Sequence, residues 1–176
     1  FTHHWAVALG GVMLLRIEDI DTTRCRPEFV DAMLGDLAWL GLSWPEPVRR
    51  QSQHFSDYAR AADALREREL LYPCFCSRAE IRAAAGENTD PEGAPLYPRT
   101  CRKKSPAERA ENLAGGAPVQ WRLDMDKAIA AAGPVLIHET QPDPSAPLTV
   151  RPADPARWGD VVIVRKGAEQ TVQVTL

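Results

Sequence analysis

No stretch of this sequence approaches the roughly 18 consecutive apolar residues of a membrane span, and its first residues lack the basic, apolar, then small-residue order of a secretory leader. Both absences lead us to expect a cytoplasmic protein that does not engage a membrane. Positive charge is not in excess either. With 21 Lys and Arg against 24 Asp and Glu, the formal net charge is −3, which excludes a generally basic nucleic-acid coat and leaves room only for a local basic face. Arg102, Lys103 and Lys104 form the densest such face. Cysteine is scarce, at four residues, and in this expected compartment four cysteines read as metal ligands or free thiols rather than disulfides. Internal repeats and low-complexity tracts are missing as well.

What is present suffices for a core: 44% of 176 residues are hydrophobic, which suits one domain of ordinary size with room for a small insertion. Phe1 is not an initiator Met and Leu176 lies in an apolar run, so the chain reads as cut at both ends. The His3-His4 pair points in different directions on any helix and is given no role.

Residues 12–15 form an apolar run that reads as a buried strand, ending in the charged residues Arg16, Glu18, Asp19 and Asp21. Charges at the carboxyl end of a strand in an open α/β sheet can reach a ligand without being buried unpaired; the plainer reading is a solvated acidic turn. Pro27 opens a helix in which Phe29, Val30, Met33, Leu34, Leu37 and Leu40 recur at helical spacing as a core face, and Gly41 closes it. A second helix follows Gln51-Ser52-Gln53, with Tyr58, Ala61, Ala62 and Leu65 on its apolar side.

Residues 72–75 are short and extended, and Ser77 to Glu80 is a capping box that starts a helix to about Ala85. Ser105 to Glu108 is a second box with Pro at the first helical position. Strands are expected at 119–123 and 135–138, a short helix at 126–132, a proline-rich connection over 141–155, and a hairpin of 160–165 with 171–176. Helices mixed with strands at this spacing indicate an α/β fold with a small antiparallel insertion.

Residues 86–102 form a long aperiodic loop, which in a compact domain needs a function or a staple. Cys74 and Cys76 precede it and Cys101 ends it. A tetrahedral metal site closes such a loop with a close pair and a distant pair of ligands. Three thiolates are available; the fourth ligand is open between Tyr97, Cys25, a histidine and water, and incidental buried thiols are the competing reading.

The motifs LLRIEDID-x-x-R, AWLGLSW, QSQ before a helix, LYPCFCSRAEI, APLYP-x-x-CR, WRLD and WGDVV, spread over residues 12–166, resemble the catalytic domain of class I glutamyl-tRNA synthetases. More narrowly they are similar to the short bacterial paralogue family, the glutamyl-Q tRNA(Asp) synthetases. The resemblance implies a Rossmann-type fold carrying a zinc-containing, acceptor-binding-like insertion. Residues 1–71 would belong to the Rossmann-type part, 72–140 to the insertion and 141–176 to the return.

The activity it implies is ligation: glutamate is activated with ATP and Mg²⁺ and passed to queuosine in tRNA(Asp), by an enzyme expected to be a monomer. Glu18 is then the carboxylate that holds the amino group of glutamate, and Cys74, Cys76, Tyr97 and Cys101 the ligands of a structural zinc. Asp19 and Asp21 are left a supporting role in shaping the loop or meeting RNA, and Arg16 reads equally as a structural partner for one of these acids.

The sequence departs from the family pattern in four places. It contains neither the family's His-x-Gly-His loop nor its Lys-Met-Ser-Lys-Ser-like loop, both of which hold ATP, so these residues alone are expected to be inactive. Val172, between Thr171 and Gln173, stands where the family has a tyrosine lining the glutamate pocket. Arg99 replaces a glycine, which strains the loop if that position has positive φ. The alternatives are a true glutamyl-tRNA synthetase and a non-catalytic zinc-stapled RNA-binding module.

Overall fold

The computed structural model describes residues 1–21, 24–139 and 147–166, and the chain divides into two compact units, Phe1–Tyr58 and Ala59–Leu176. The expected strand at 171–176, with Thr171, Val172 and Gln173, lies outside the described residues.

In the first unit, helix α1 (Thr2–Ala8) ends in the Gly10-Gly11 pair, with Gly10 at φ +64°. Strand β1 (Arg16–Ile17) leads to helix α2 (Pro27–Trp39) and then to strand β2 (Arg49–Arg50), which pairs parallel with β1, Ile17 opposite Arg50. This is a strand-helix-strand crossover, the unit from which Rossmann-type sheets are built. Pro27 sits in the first turn of α2, where its missing N–H costs nothing, and Gly41 follows the helix at φ +74°.

Two expectations for this unit fail. The run at 12–15 is not a buried strand, since Val12 is 69% and Leu14 80% exposed and the ladder begins only at Arg16. A two-rung ladder without a described neighbour on its other edge cannot cover that run. Helix α2 forms where predicted but buries only Val30, while Phe29, Met33 and Leu40 remain exposed.

A 3₁₀ turn (Gln51–His54) feeds helix α3 (Phe55–Glu67), within which the division between the units falls. The second unit is built on an antiparallel sheet in which strand β3 (Leu71–Cys74) pairs with strand β4 (Gln120–Leu123), Cys74 opposite Gln120. Strand β7 (Val162–Val164) adds to the far edge of β4, giving the order β3-β4-β7. All four residues of β3 are buried.

Helix α4 (Arg78–Ala85) starts with the predicted capping box: Ser77 Oγ accepts from the Glu80 N–H at 3.2 Å and Glu80 accepts from the Ser77 N–H at 2.6 Å. Helix α5 (Pro106–Ala114) repeats the device with Ser105 and Glu108. Helix α6 (Met125–Ala132) is capped by Asp124. The long loop after α4 is tightened by Asp90, whose carboxylate accepts the N–H groups of Glu92 and Ala94, and it returns through a 3₁₀ turn (Cys101–Lys103).

Strands β5 (Leu136–Glu139) and β6 (Thr149–Pro152) pair antiparallel. The second corrects the expectation that 141–155 is connection alone. The prolines misled that reading, because Pro152 ends an exposed two-stranded ladder where a missing donor is tolerated.

Candidate metal centre

Strand β3 runs directly into the Cys74-Phe75-Cys76 turn, and the loop from α4 brings Tyr97 and Cys101 back against it. Tyr72, Cys74, Tyr97 and Cys101 form one buried cluster, with Phe75, Cys76 and Ile81 packed on it. The Sγ atoms of Cys74, Cys76 and Cys101 lie within 4.8 Å of one another, so the three thiols could hold a metal ion.

The phenol oxygen of Tyr97 lies beside these thiols. This Oη lies 3.3 Å from Cys74 Sγ and 3.9 Å from Cys76 Sγ, and Cys76 Sγ lies 3.4 Å from Cys101 Sγ. A tetrahedral zinc with bonds of about 2.3 Å to sulfur and about 2.0 Å to oxygen spaces its sulfurs about 3.8 Å apart and sulfur from oxygen about 3.5 Å. The observed separations lie on both sides of these values, so an ion would push Cys76 and Cys101 slightly apart and draw Tyr97 and Cys76 slightly together. Cys25, the other cysteine weighed as a ligand, instead directs its thiol to the Glu18 carbonyl oxygen at 3.8 Å.

The surroundings are arranged to receive charge on sulfur. The Phe75 N–H donates to Cys101 Sγ and the Gln120 side-chain amide donates to Cys74 Sγ, both at 3.4 Å, while the Cys101 N–H donates to Tyr97 Oη at 2.9 Å. Lys166 Nζ holds the carbonyl oxygens of Phe75 and Cys76 at 2.6 and 2.9 Å, fixing the turn between the two cysteines. Outer contacts of this kind orient ligands and tune a metal centre.

Burial opposes ionisation of Cys74, but hydrogen bonds from Gln120 and Tyr97 and the Arg122 guanidinium outweigh it and hold its thiol down at about 7. Burial, with Cys101 hydrogen-bonded to it, pushes the Cys76 thiol up to about 12. Burial and the neighbouring Cys74 likewise raise the Tyr97 phenol. One thiol is thus poised to ionise near neutrality, and a metal ion would displace the protons of the others.

Beside the cluster lies a cavity of about 700 Å³ lined by Cys76, Tyr97, Gln120, Arg122, Trp158 and Lys166 among others. Behind the cluster is a charged network that sequence reasoning did not assign. Asp160 is 1% exposed; its carboxylate accepts from Tyr72 Oη at 2.6 Å and from the Met125 N–H at 3.1 Å, with Arg99 Nε and Arg102 Nη1 at 3.6 and 3.7 Å.

Arg99, at φ +62°, also makes a two-pronged pair with Asp126 at 3.0 and 3.1 Å. The positive φ expected of that position is therefore present without the glycine. Arg102, expected on a basic face, points inward to Asp124 and Asp126 at 3.2 and 2.8 Å. Its charge is spent in the fold, because three carboxylates surround it. The only signal for Asp160 and Arg122 in the sequence was their place in WGDVV and WRLD.

In the first unit, Glu18 lies exposed just beyond β1 and pairs with Arg16 Nη2 at 2.6 Å, so Arg16 is indeed a partner of one of these acids. Asp19 accepts from the Ser52 N–H and Oγ at 2.9 and 2.7 Å and shapes the turn ahead of α3. Asp21 pairs with Arg24 at 2.6 Å.

The parallel strand-helix-strand crossover of the first unit and the antiparallel sheet of the second give the chain a mixed α/β fold. The solved glutamate-tRNA synthetase from Elizabethkingia anophelis shares this fold, with a TM-score of 0.62 at 21% identity over 97% of this chain and 35% of that one. The model of the family described as tRNA synthetases class I (E and Q), catalytic domain, matches residues 1–137, and the chain belongs to that family.

Among its relatives, the glutamyl-Q tRNA(Asp) synthetase of Rhodobacter capsulatus is 40% identical over 171 residues, covering 93% of this chain and 59% of the relative. The protein of the same name from Nocardia farcinica is 45% identical over 123 residues, covering 70% and 38%. Glutamate–tRNA ligase 2 of Gluconobacter oxydans is 41% identical over 114 residues, covering 65% and 26%. The chain therefore spans less than two thirds of the length of each.

Proposed function

We propose that this chain is part of a ligase that activates glutamate with ATP and Mg²⁺ and transfers it to queuosine of tRNA(Asp), a reading supported by its similarity to the Rhodobacter protein named glutamyl-Q tRNA(Asp) synthetase. The observation that carries this reading is the 40% identity to that relative across 93% of the chain. The glutamate α-carboxylate attacks the α-phosphate of ATP and pyrophosphate leaves, giving glutamyl-AMP; a hydroxyl of the modified nucleoside then attacks the acyl carbon, and AMP leaves as the ester forms. Both substrates put the reaction in the cytoplasm; among the described residues no helix is long and apolar enough to cross a membrane.

In this reading residues 1–71 contribute to the Rossmann-type part, 72–140 to the acceptor-binding-like insertion and 141–176 to the return. Glu18 accepts the ammonium of glutamate, a charge-assisted bond at a strand end, and Arg16 holds that carboxylate in place beforehand. Cys74, Cys76, Tyr97 and Cys101 hold one zinc ion, whose contribution is to close the loop over 77–100 and fix the fold of the insertion. Nucleotidyl transfer depends on positioning and charge stabilisation. The isolated 176 residues, which contain neither ATP-gripping motif of the family, are therefore expected not to turn over.

The second reading, a true glutamyl-tRNA synthetase, is favoured by the similarity to the Gluconobacter ligase. One experiment separates them: the full-length protein that carries this segment is incubated with labelled glutamate and ATP, and with either queuosine-containing tRNA(Asp) or tRNA(Glu). Label on tRNA(Asp) alone supports the proposal, label on tRNA(Glu) supports the second reading, and label on neither overturns both.

A further inference from the structure

Arg122 lies on β4 with only 8% of its surface exposed. Its Nη1 donates to the backbone carbonyl oxygen of Asp160 at 2.7 Å, its Nε finds no partner, and its guanidinium stacks 3.8 Å over the Tyr97 ring. A buried cation needs an anion, because a neutral carbonyl does not repay the loss of hydration. The carboxylates nearby are committed elsewhere: Asp160 to Tyr72, Arg99 and Arg102, and Asp124 to Arg102. Among the described residues no carboxylate pairs with Arg122.

The anion that remains is the sulfur cluster. Three thiolates around a divalent ion leave a net charge of −1 on the centre, or −2 when Tyr97 binds as the phenolate, held in surroundings where charges act more strongly than in water. Lys166, a second cation beside the Cys74–Cys76 turn, is partly exposed and engaged with two carbonyl oxygens.

We propose that Arg122 is the counter-ion of the metal centre, a positioning residue that neutralises the thiolate charge from within the fold and holds Tyr97 by stacking on its ring. This rests on the zinc reading of the Cys74, Cys76, Tyr97 and Cys101 cluster given above. The charge is built into strand β4, opposite Tyr72 of β3.

The test is zinc affinity, read by competition with a chromophoric chelator on the full-length protein and on R122Q and R122K, with folding checked by circular dichroism. Wild type is expected to bind one zinc, R122Q to bind about 10- to 100-fold more weakly, and R122K, which restores the charge, to recover most of that loss. Where R122Q does not fold, R122M takes its place, since its stem still covers Tyr97. If R122Q binds as tightly as wild type, or R122K no better than R122Q, Arg122 acts through shape alone and the proposal fails while the zinc reading stands. Wild type that binds no zinc overturns both.

Discussion

The phenol oxygen of Tyr97 stands 3.3 Å from the sulfur of Cys74, at the distance two ligands keep across a tetrahedral ion. If both are ligands, Tyr97→Phe removes one donor and leaves three thiols. Zinc should still bind one per chain, with affinity lowered on the order of 100-fold, above the usual effect of an outer contact. Chelator competition measures this, and unchanged affinity would show that Tyr97 is only packed against the site.

Asp160 is the buried acceptor on which two arginines, a tyrosine and a helix N-terminus converge. Asp160→Asn keeps the shape but removes the charge facing Arg99 and Arg102. The expected cost is about 2–4 kcal/mol in urea unfolding. A change under about 0.5 kcal/mol, typical of an ordinary surface position, would contradict the account of this network.

Arg99 combines a left-handed backbone with ion pairs to Asp126 and Asp160. Arg99→Gly loses the pairs and relieves the strain, whereas Arg99→Ala loses the pairs and keeps it. R99G should therefore unfold at higher denaturant than R99A, by about 1 kcal/mol in stability. The reverse order would mean that the positive φ is not maintained in solution.

The turn ahead of α3 has a pH dependence whose sign follows from Asp19. Partial burial raises its carboxyl, but the hydrogen bonds from Ser52 outweigh this and hold it below the usual carboxylate range. A folded value depressed below the unfolded one makes its stabilisation complete above about pH 4 and lost as pH falls through the folded value. Ser52 amide exchange should stay slow down to about pH 4 and accelerate below it, with that step absent in D19N. A step well above pH 4 in wild type would contradict the assignment.

How much of this was legible follows the range of each interaction. The capping boxes at Ser77 and Ser105 are local chemistry, and the helices they open formed where the residues said they would. The meeting of Cys74, Cys76 and Cys101 was legible because they flank one long aperiodic stretch, so that a short list of residues named the candidates. The naming of Tyr97 as the fourth ligand came through family resemblance, since spacing left the position open.

What composition could not show was set by distant partners. Arg102 reads as part of a basic run until α6 brings Asp124 and Asp126 to it. Arg122 and Asp160 acquire meaning only when β4 pairs with β3 and β7. The exposed run at 12–15 was misread for the same reason, because burial is a property of what packs against a strand rather than of the strand's own residues.

The central claim is that Cys74, Cys76, Tyr97 and Cys101 form a structural zinc centre. Elemental analysis of the purified protein beside its Cys101→Ser variant tests it most directly. The account predicts one zinc per chain in the wild type and its loss in the variant, with accompanying loss of order in the loop over 77–100. Well-folded wild type without zinc, or zinc retained at full occupancy in Cys101→Ser, would contradict it.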